Sequence, residues 1–503
     1  MKVGEILMNF LGVDLGTSAV KLLLMDETGV IIQTVSKEYP VYYPQPGWAE
    51  QNPEDWWQAT SAGIREILGT TGIAGKDVQS IGLSGQMHGL VLLNKDNKVL
   101  MPALLWCDQR TQDECDYITD KLGINLSKYT GNKALTGFTA PKVLWVKRNR
   151  PEVHEQISHV LLPKDYIRFK LTGEYATDVS DASGTLFFDV AHRSWSQEML
   201  EFLGLTEDVL PTCYESFAVT GNINQEAAEV TQLGLGIPVV GGGGDQAAGA
   251  VGTGIVSTGM VSVALGTSGV VFACQEEYAV DDENRLHAFC HSNGKWHVMG
   301  VMLAAASCLK WWVEEVCQLD DCGFALLLNE AEKVAPGSEG LIFLPYLMGE
   351  RTPYSDPYAR GTFIGLSMVH NRAHMTRAIL EGVSFGLRDS LEIIRQQNLP
   401  TTVVRVSGGG ANSLLWRQII ADVFGLRVEV VNSVDGPAFG AAILAAVGVG
   451  AFANVEDACS RTIRTVWSTE PNQENVEKYN RVYPIYHQLY GTLKETFKVI
   501  SKM

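Results

Sequence analysis

Val239-Val-Gly-Gly-Gly-Gly-Asp-Gln-Ala-Ala-Gly-Ala-Val-Gly252 decides how the rest of this chain is read. A β-branched pair runs into four glycines, then a single acid, then an Ala-rich run of helical character. Consecutive glycines let backbone approach backbone, or a ligand, with no Cβ in the way. Asp245 follows at the expected N-cap of the next helix, and capping alone would account for an isolated Asp there.

Working outward, residues 8–35 read as a β-turn-β-turn-β meander: Phe10 to Asp14, Val20 to Met25, then Val30 to Ile32. Its first turn, Asp14-Leu-Gly-Thr-Ser18, is rich in glycine and hydroxyls, and consecutive amides in such a turn make a concave anion site. The hexapeptide Leu15-Gly-Thr-Ser-Ala-Val20 recurs as Leu265-Gly-Thr-Ser-Gly-Val270, offset by 250 positions, half the chain. Both copies lie between apolar β-branched strands. This is an internal duplication: two similar α/β domains, each opening on a phosphate-facing hairpin.

Other parts echo across the halves. Ser80-Ile-Gly-Leu-Ser-Gly-Gln86 and Val403-Val-Arg-Val-Ser-Gly-Gly-Gly-Ala-Asn412 are both strand-to-glycine turns, the second leading into an amphipathic helix with Asn412 as expected N-cap. Gly243 and Gly436 both open small-residue helices. Further helices are expected at about 53–68, 372–397 and 472–500, the last kinked at Pro484. The domain boundary falls near 250–258, giving domains 1–252 and 253–503. Asp245 thus stands near mid-chain, where a carboxylate on the floor of an interdomain cleft is well placed to act as a general base.

Composition narrows the function classes. At 503 residues the chain has room for two or three cores, and 50 glycines with 46% apolar residues suit an α/β protein with many tight loops. A net charge of −18 argues against a nucleic-acid surface and, less strongly, against an anionic membrane. An anionic nucleotide would need local help from backbone amides and a divalent cation. Nine scattered cysteines without a C-x-x-C indicate neither a disulfide framework nor a zinc site, which points to the reducing cytoplasm. The opening Met1-Lys-Val-Gly-Glu-Ile-Leu-Met8 carries an acid and has no apolar core of useful length, so it is not read as a signal peptide. The uncharged runs 247–274 and 436–455 are broken by Gly, Ser, Thr or Pro and read as buried elements, not membrane spans.

Two facing Gly-turn hairpins with a later triple-Gly turn resemble the layout of the actin-like, or ribonuclease H-like, ATP-binding fold. The likeness sharpens at Gly137-Phe-Thr-Ala-Pro-Lys142-Val-Leu-Trp145 and at Gly361-Thr-Phe-Ile-Gly365, followed by His374-Met-Thr-Arg-Ala378-Ile-Leu-Glu381. These resemble the two signatures of the FGGY carbohydrate kinases, and the likeness runs from about residue 9 to the C-terminus. Within that family, Ser84-Gly-Gln-Met-His88-Gly, Leu105-Trp106-Cys-Asp108-Gln-Arg110, Leu162-Pro-Lys-Asp-Tyr166 and Met348-Gly-Glu-Arg351-Thr-Pro most resemble the bacterial xylulokinases. The resemblance implies two actin-like domains flanking a deep cleft, with sugar mainly on the first and ATP mainly on the second. It also implies Mg²⁺-dependent phosphorylation of a sugar hydroxyl.

Carried over residue by residue, the family's catalytic acid falls on Asp245. Asp14 matches the acid of the first hairpin, which in related folds binds Mg²⁺ through water; Asp245 is a second candidate contact for the ion. Thr17 and Thr267, with Gly16, Ser18 and Gly266, would cradle the phosphates. Lys21 reads equally as a phosphate contact or a solvated strand residue. Gly409, Gly410 and Asn412 match the adenosine pocket. Met87 and His88 match the sugar contacts, together with Asp245 and Gln246. Gln246 stands where many xylulokinases have Asn, which bears on which ketose fits. Trp106, Asp108 and Arg110 either wall the sugar site or form a structural turn with an Asp–Arg pair.

The expected reaction is transfer of the γ-phosphoryl group of ATP to the C5 hydroxyl of D-xylulose, with L-xylulose or D-ribulose as alternative ketoses. A homodimer is an admissible assembly. The rival class is an actin- or chaperone-like ATPase module, which explains the duplicated hairpins but gives no reason for Gly-Gln-Met-His-Gly or the two kinase signatures.

Overall fold

The computed structural model describes residues 8–433, 435–501 and 503; residues 1–7, the leading segment considered above, lie outside the described residues. The chain divides into two compact units. One comprises Met1–Val256, Ala288–Trp296 and Asp435–Arg464, the other Ser257–His287, His297–Val434 and Thr465–Met503. Two short stretches from the second half of the sequence therefore belong to the first unit.

The first unit is built on β1 (Asn9–Leu15), β2 (Ala19–Asp26), β3 (Ile31–Glu38), β4 (Val78–Gly85), β5 (Val219–Asn222), β6 (Pro238–Val240) and β7 (Gly243–Gly244). The sheet runs β5-β6-β4-β1-β2-β3, with β7 also pairing β4. The meander β1-β2-β3 is antiparallel, as the alternation predicts, while β4 lies parallel to β1.

Successive side chains of a strand point to opposite faces, and here both faces are buried. Leu11, Val13 and Leu15 join Trp56, Ile64 and Ile67 of the helix Pro53–Thr71. Phe10 joins Ala438, Phe439 and Ile443 of the helix Gly436–Gly448. That second helix sits very close to the sheet. A Cβ on Gly12 would fall 1.9 Å from the Ala438 carbonyl oxygen, and one on Gly82 the same distance from that of Ala441.

The second unit repeats the plan with β8 (Gly259–Leu265), β9 (Gly269–Gln275), β10 (Trp296–Met302), β11 (Thr401–Ser407), β12 (Arg427–Val431) and β13 (Thr465–Thr469), in the order β10-β9-β8-β11-β12-β13. The centre of each sheet has the same connectivity. β8 pairs its hairpin partner β9 antiparallel and β11 parallel, just as β1 pairs β2 and β4. Even the register matches: Asp14 faces Ser84 in the first sheet, and Ala264 faces Ser407 in the second. The duplication is real, and the acid occurs in one copy alone.

The expected helices are present at Pro53–Thr71, Arg372–Gln396 and Gln473–Ile500, the last running on through Pro484. Two expected caps are corrected by one residue. Gly244 occupies the N-cap of the helix Asp245–Gly252, so Asp245 is its first residue and its carboxylate is left to point elsewhere. Ser413 caps the helix Leu414–Phe424 by accepting from the Trp416 amide, because Gly409–Asn412 first closes a short 3₁₀ turn. Among the described residues, no helix is long and apolar enough to cross a membrane.

Candidate active site

In the first unit the hairpin turn after β1 is held from behind. The Gln51 side chain donates to the Thr17 carbonyl at 2.7 Å, and the Tyr39 hydroxyl donates to the Gly16 carbonyl. Trp106 donates its indole N–H to the Thr17 hydroxyl at 2.9 Å, joining the predicted sugar wall to the predicted phosphate turn. Ser18 is exposed on the turn. Lys21, beside Asp14 in register on β2, spends its ammonium on Asp435 at 2.7 Å.

Asp14 closes β1 on the face shared with Phe10 and Gly12, and its carboxylate accepts from the Ser84 hydroxyl at 3.0 Å. Burial lifts its pKa to about 6, opposed by Ser84 and Lys21 and reinforced by the charge of Asp435.

The glycine run brings a second acid to the same sheet. Gly243 and Gly244 pair with Ser84 and Gly85, so the chain leaves β7 next to β4 and on the side away from β1. Side chains have no room here: a Cβ on Gly242, which holds φ +70°, would meet the Leu83 oxygen at 1.9 Å. A Cβ on Gly244 would meet Met87 at 2.8 Å. Asp245 follows, partly exposed, its pKa raised to about 7 by burial and then by the charge of Asp14, while main-chain and side-chain hydrogen bonds from Gln246 oppose the shift. The charge of Asp14 thus adds to burial in favouring the protonated form of Asp245.

Met87 and His88 stand beside Gly244 and Gly184. A Cβ on Gly184 would fall 2.5 Å from the His88 ring. His88 itself holds φ +68°, and its Nδ1 is 2.7 Å from the Gly184 carbonyl oxygen, which sets the ring proton on Nδ1. The buried ammonium of Lys142 donates to the His88 carbonyl at 2.9 Å and to that of Gly137 at 2.7 Å. Phe138 meets the His88 ring edge to face at 4.7 Å. Asp108 and Arg110 make the structural alternative. Arg110 is bound to Asp108 and Glu50 and packed 3.6 Å from the Trp48 ring centre, with Asp108 also capping the Ala49 amide.

In the second unit Gly266, Thr267, Gly409, Gly410 and Asn412 all line one cavity of about 560 Å³. Leu309, Phe324, Ala325 and Leu328 give it an apolar wall suited to a flat heterocycle, and Ser307 and Lys310 add polar groups. Gly409 has open space where a side chain would be, whereas Gly410 rests on Leu265 and Trp416.

The sequence does not mark Ser84 as the partner of Asp14, although Ser84 opens the stretch Ser84-Gly-Gln-Met-His88. The wall made by Phe324 and Leu328 left no signal. It comes from an ordinary amphipathic helix, Cys322–Glu332.

The chain is similar to known proteins over most of its length. The N-terminal domain model of the FGGY family of carbohydrate kinases matches residues 9–252, and the C-terminal domain model matches residues 261–449. A xylulose kinase of Bacillus subtilis is 40% identical over 486 residues, covering 96% of this chain and 97% of that protein. One from Escherichia coli is 42% identical over 440 residues, 87% of this chain and 90% of the other. A crystal structure of a xyloylose kinase from Brucella ovis superposes with a TM-score of 0.92 at 39% identity, over 97% of this chain and 100% of that one. The two α/β units are accordingly actin-like ATPase domains, and the chain belongs to the FGGY family of carbohydrate kinases.

Proposed function

We propose that the chain transfers the γ-phosphoryl group of ATP to the C5 hydroxyl of D-xylulose, with Asp245 as general base. The observation that carries this reading is the Asp245 carboxyl on the first turn of a helix whose capping Gly244 packs against Met87, with burial raising its pKa to about 7. A sugar hydroxyl is a weak nucleophile, and a base whose pKa matches the working pH is the most effective at removing its proton. That relatives at about 40% identity are xylulose kinases supports the ketose.

In the step, the Asp245 carboxylate accepts the hydroxyl proton while the sugar oxygen bonds to the γ-phosphorus. The bond from that phosphorus to the bridging oxygen breaks, ADP leaves, and the proton stays on Asp245. Met87, His88 and Gln246 orient the sugar. Thr17, with Gly16 and Ser18, is assigned to phosphate binding, as are Gly266 and Thr267. Gly409, Gly410 and Asn412 let the adenosine lie against backbone. Sugar binding is thereby assigned to residues 1–252 and nucleotide binding to 253–503.

The donor set fits Mg²⁺, which takes one or two carboxylates and fills its remaining positions with water and phosphate oxygens. Two acids, one of which raises the cost of ionising the other, suit a bound cation. Asp14, through water, and Asp245 would hold it, and it would neutralise charge on the phosphates. A cytoplasmic setting is part of this reading, since nine scattered cysteines without a C-x-x-C suit a reducing compartment.

A sugar panel with coupled ADP detection tests the reading. D-xylulose should stimulate ADP release above L-xylulose, D-ribulose, glycerol and gluconate. ATP hydrolysis indifferent to every ketose would contradict it.

A further inference from the structure

Behind the glycine turn lies a buried charged cluster that the reaction above does not use. The ammonium of Lys164 lies 2.8 Å from Asp165, 3.0 Å from Asp178 and 3.6 Å from Asp181, all fully buried. Such groups are costly to bury, so their connection to the turn is informative. Asp178 caps its own short helix at the Ser180 amide and accepts the Ser180 hydroxyl at 2.5 Å. A serine hydroxyl has one proton. With that proton committed to Asp178, its buried oxygen is left as an acceptor, and the Gly244 amide donates to it at 3.1 Å and the Ser292 hydroxyl at 3.3 Å.

We propose that Ser180 is a positioning residue for phosphoryl transfer, holding the Gly244 amide so that Asp245 meets the sugar hydroxyl at the reacting distance. The Lys164–Asp178–Ser180–Gly244 chain is continuous and ends one residue before the base. Gly244 is clamped from both sides. Ser180 holds its amide, and the Met87 side chain occupies the place of a Cβ. The neighbouring Gly243 lets the serines come close: a Cβ there would sit 2.5 Å from the Ser292 hydroxyl and 3.3 Å from that of Ser180. The inference rests on Asp245 as the base.

A matched control exists in Ser216, whose hydroxyl donates to the same Asp178 oxygen at 2.8 Å but does not bond the Gly244 amide. Full-length Ser180→Ala, Ser216→Ala and Asp245→Ala proteins are compared for kcat, for KM of each substrate and for thermal unfolding. Ser180→Ala should lose about 10- to 100-fold in kcat, the scale of a small misplacement of a reacting group, with both KM values within about threefold of the parent. Ser216→Ala should keep the parent kcat.

If Ser180→Ala does not fold, Ser180→Cys, close in size with a weaker acceptor, takes its place. Parent-like kcat in the Ser180 variant, or an equal fall in Ser216→Ala, overturns the proposal. Unchanged turnover in Asp245→Ala instead removes the base assignment, so the two failures are distinguishable.

Discussion

Asp14 and Asp245 come off strands on either side of β4, and the charge of Asp14 adds to burial in raising Asp245 to about 7. With Asp245 as the base, kcat/KM is expected to fall on the acid side with an apparent pKa near 7. A rate profile flat from about pH 5.5 to 8 would contradict this.

The same shift predicts a stability effect. An acid whose folded pKa is raised binds its proton more tightly in the folded state. Its ionisation therefore costs stability progressively as pH rises from the unfolded carboxylate value of 3.8 through about 7. Asp245→Asn should gain on the parent between pH 5 and 8, on the order of 1 kcal/mol given partial solvent screening, measured by denaturant unfolding at both pH values.

Gly242→Ala should be among the most damaging substitutions in the turn. Its Cβ would overlap the Leu83 oxygen at 1.9 Å on a backbone that already holds φ +70°. A loss of about 3 kcal/mol or more is expected in chemical unfolding, since neither backbone can withdraw from the β4–β7 pairing cheaply.

Gly409→Ala separates ligand contact from folding. No atom lies within 4 Å of the added methyl, so stability should stay within about 0.5 kcal/mol of the parent. If adenosine lies against this backbone, KM for ATP should still rise about tenfold, roughly 1.4 kcal/mol of lost binding, with KM for the sugar unchanged.

Lys142→Met tests the hold on His88. Burial lowers the Lys142 pKa to about 7, and its ammonium ties down two carbonyls. The variant should raise KM for the sugar by about tenfold, the cost of one charge-assisted hydrogen bond, and leave KM for ATP unchanged.

Much of this was legible in the chain because it is local. Period-2 alternation around Gly16-Thr17-Ser18 and its copy at Gly266-Thr267-Ser268 specified both hairpins, and the four glycines marked a close backbone approach. That Asp14 has Ala264 as its counterpart was also readable, once the halves were aligned. The caps were displaced by one residue because Gly244 and Ser413 compete with equally plausible neighbours for the same role. The Lys164–Asp178–Ser180 chain was not legible, since Ser180 meets Gly244 across 64 positions. Nor does sequence order reveal that Asp435–Arg464 packs with the first unit, where Gly12 and Gly82 admit the helix Gly436–Gly448.

The central claim is the proton acceptor, and Asp245→Ala measured with D-xylulose and Mg-ATP beside a nucleotide-binding assay tests it most directly. The account predicts turnover lowered by about 10²- to 10⁴-fold, with ADP affinity unchanged. Turnover within a few-fold of the parent would contradict it.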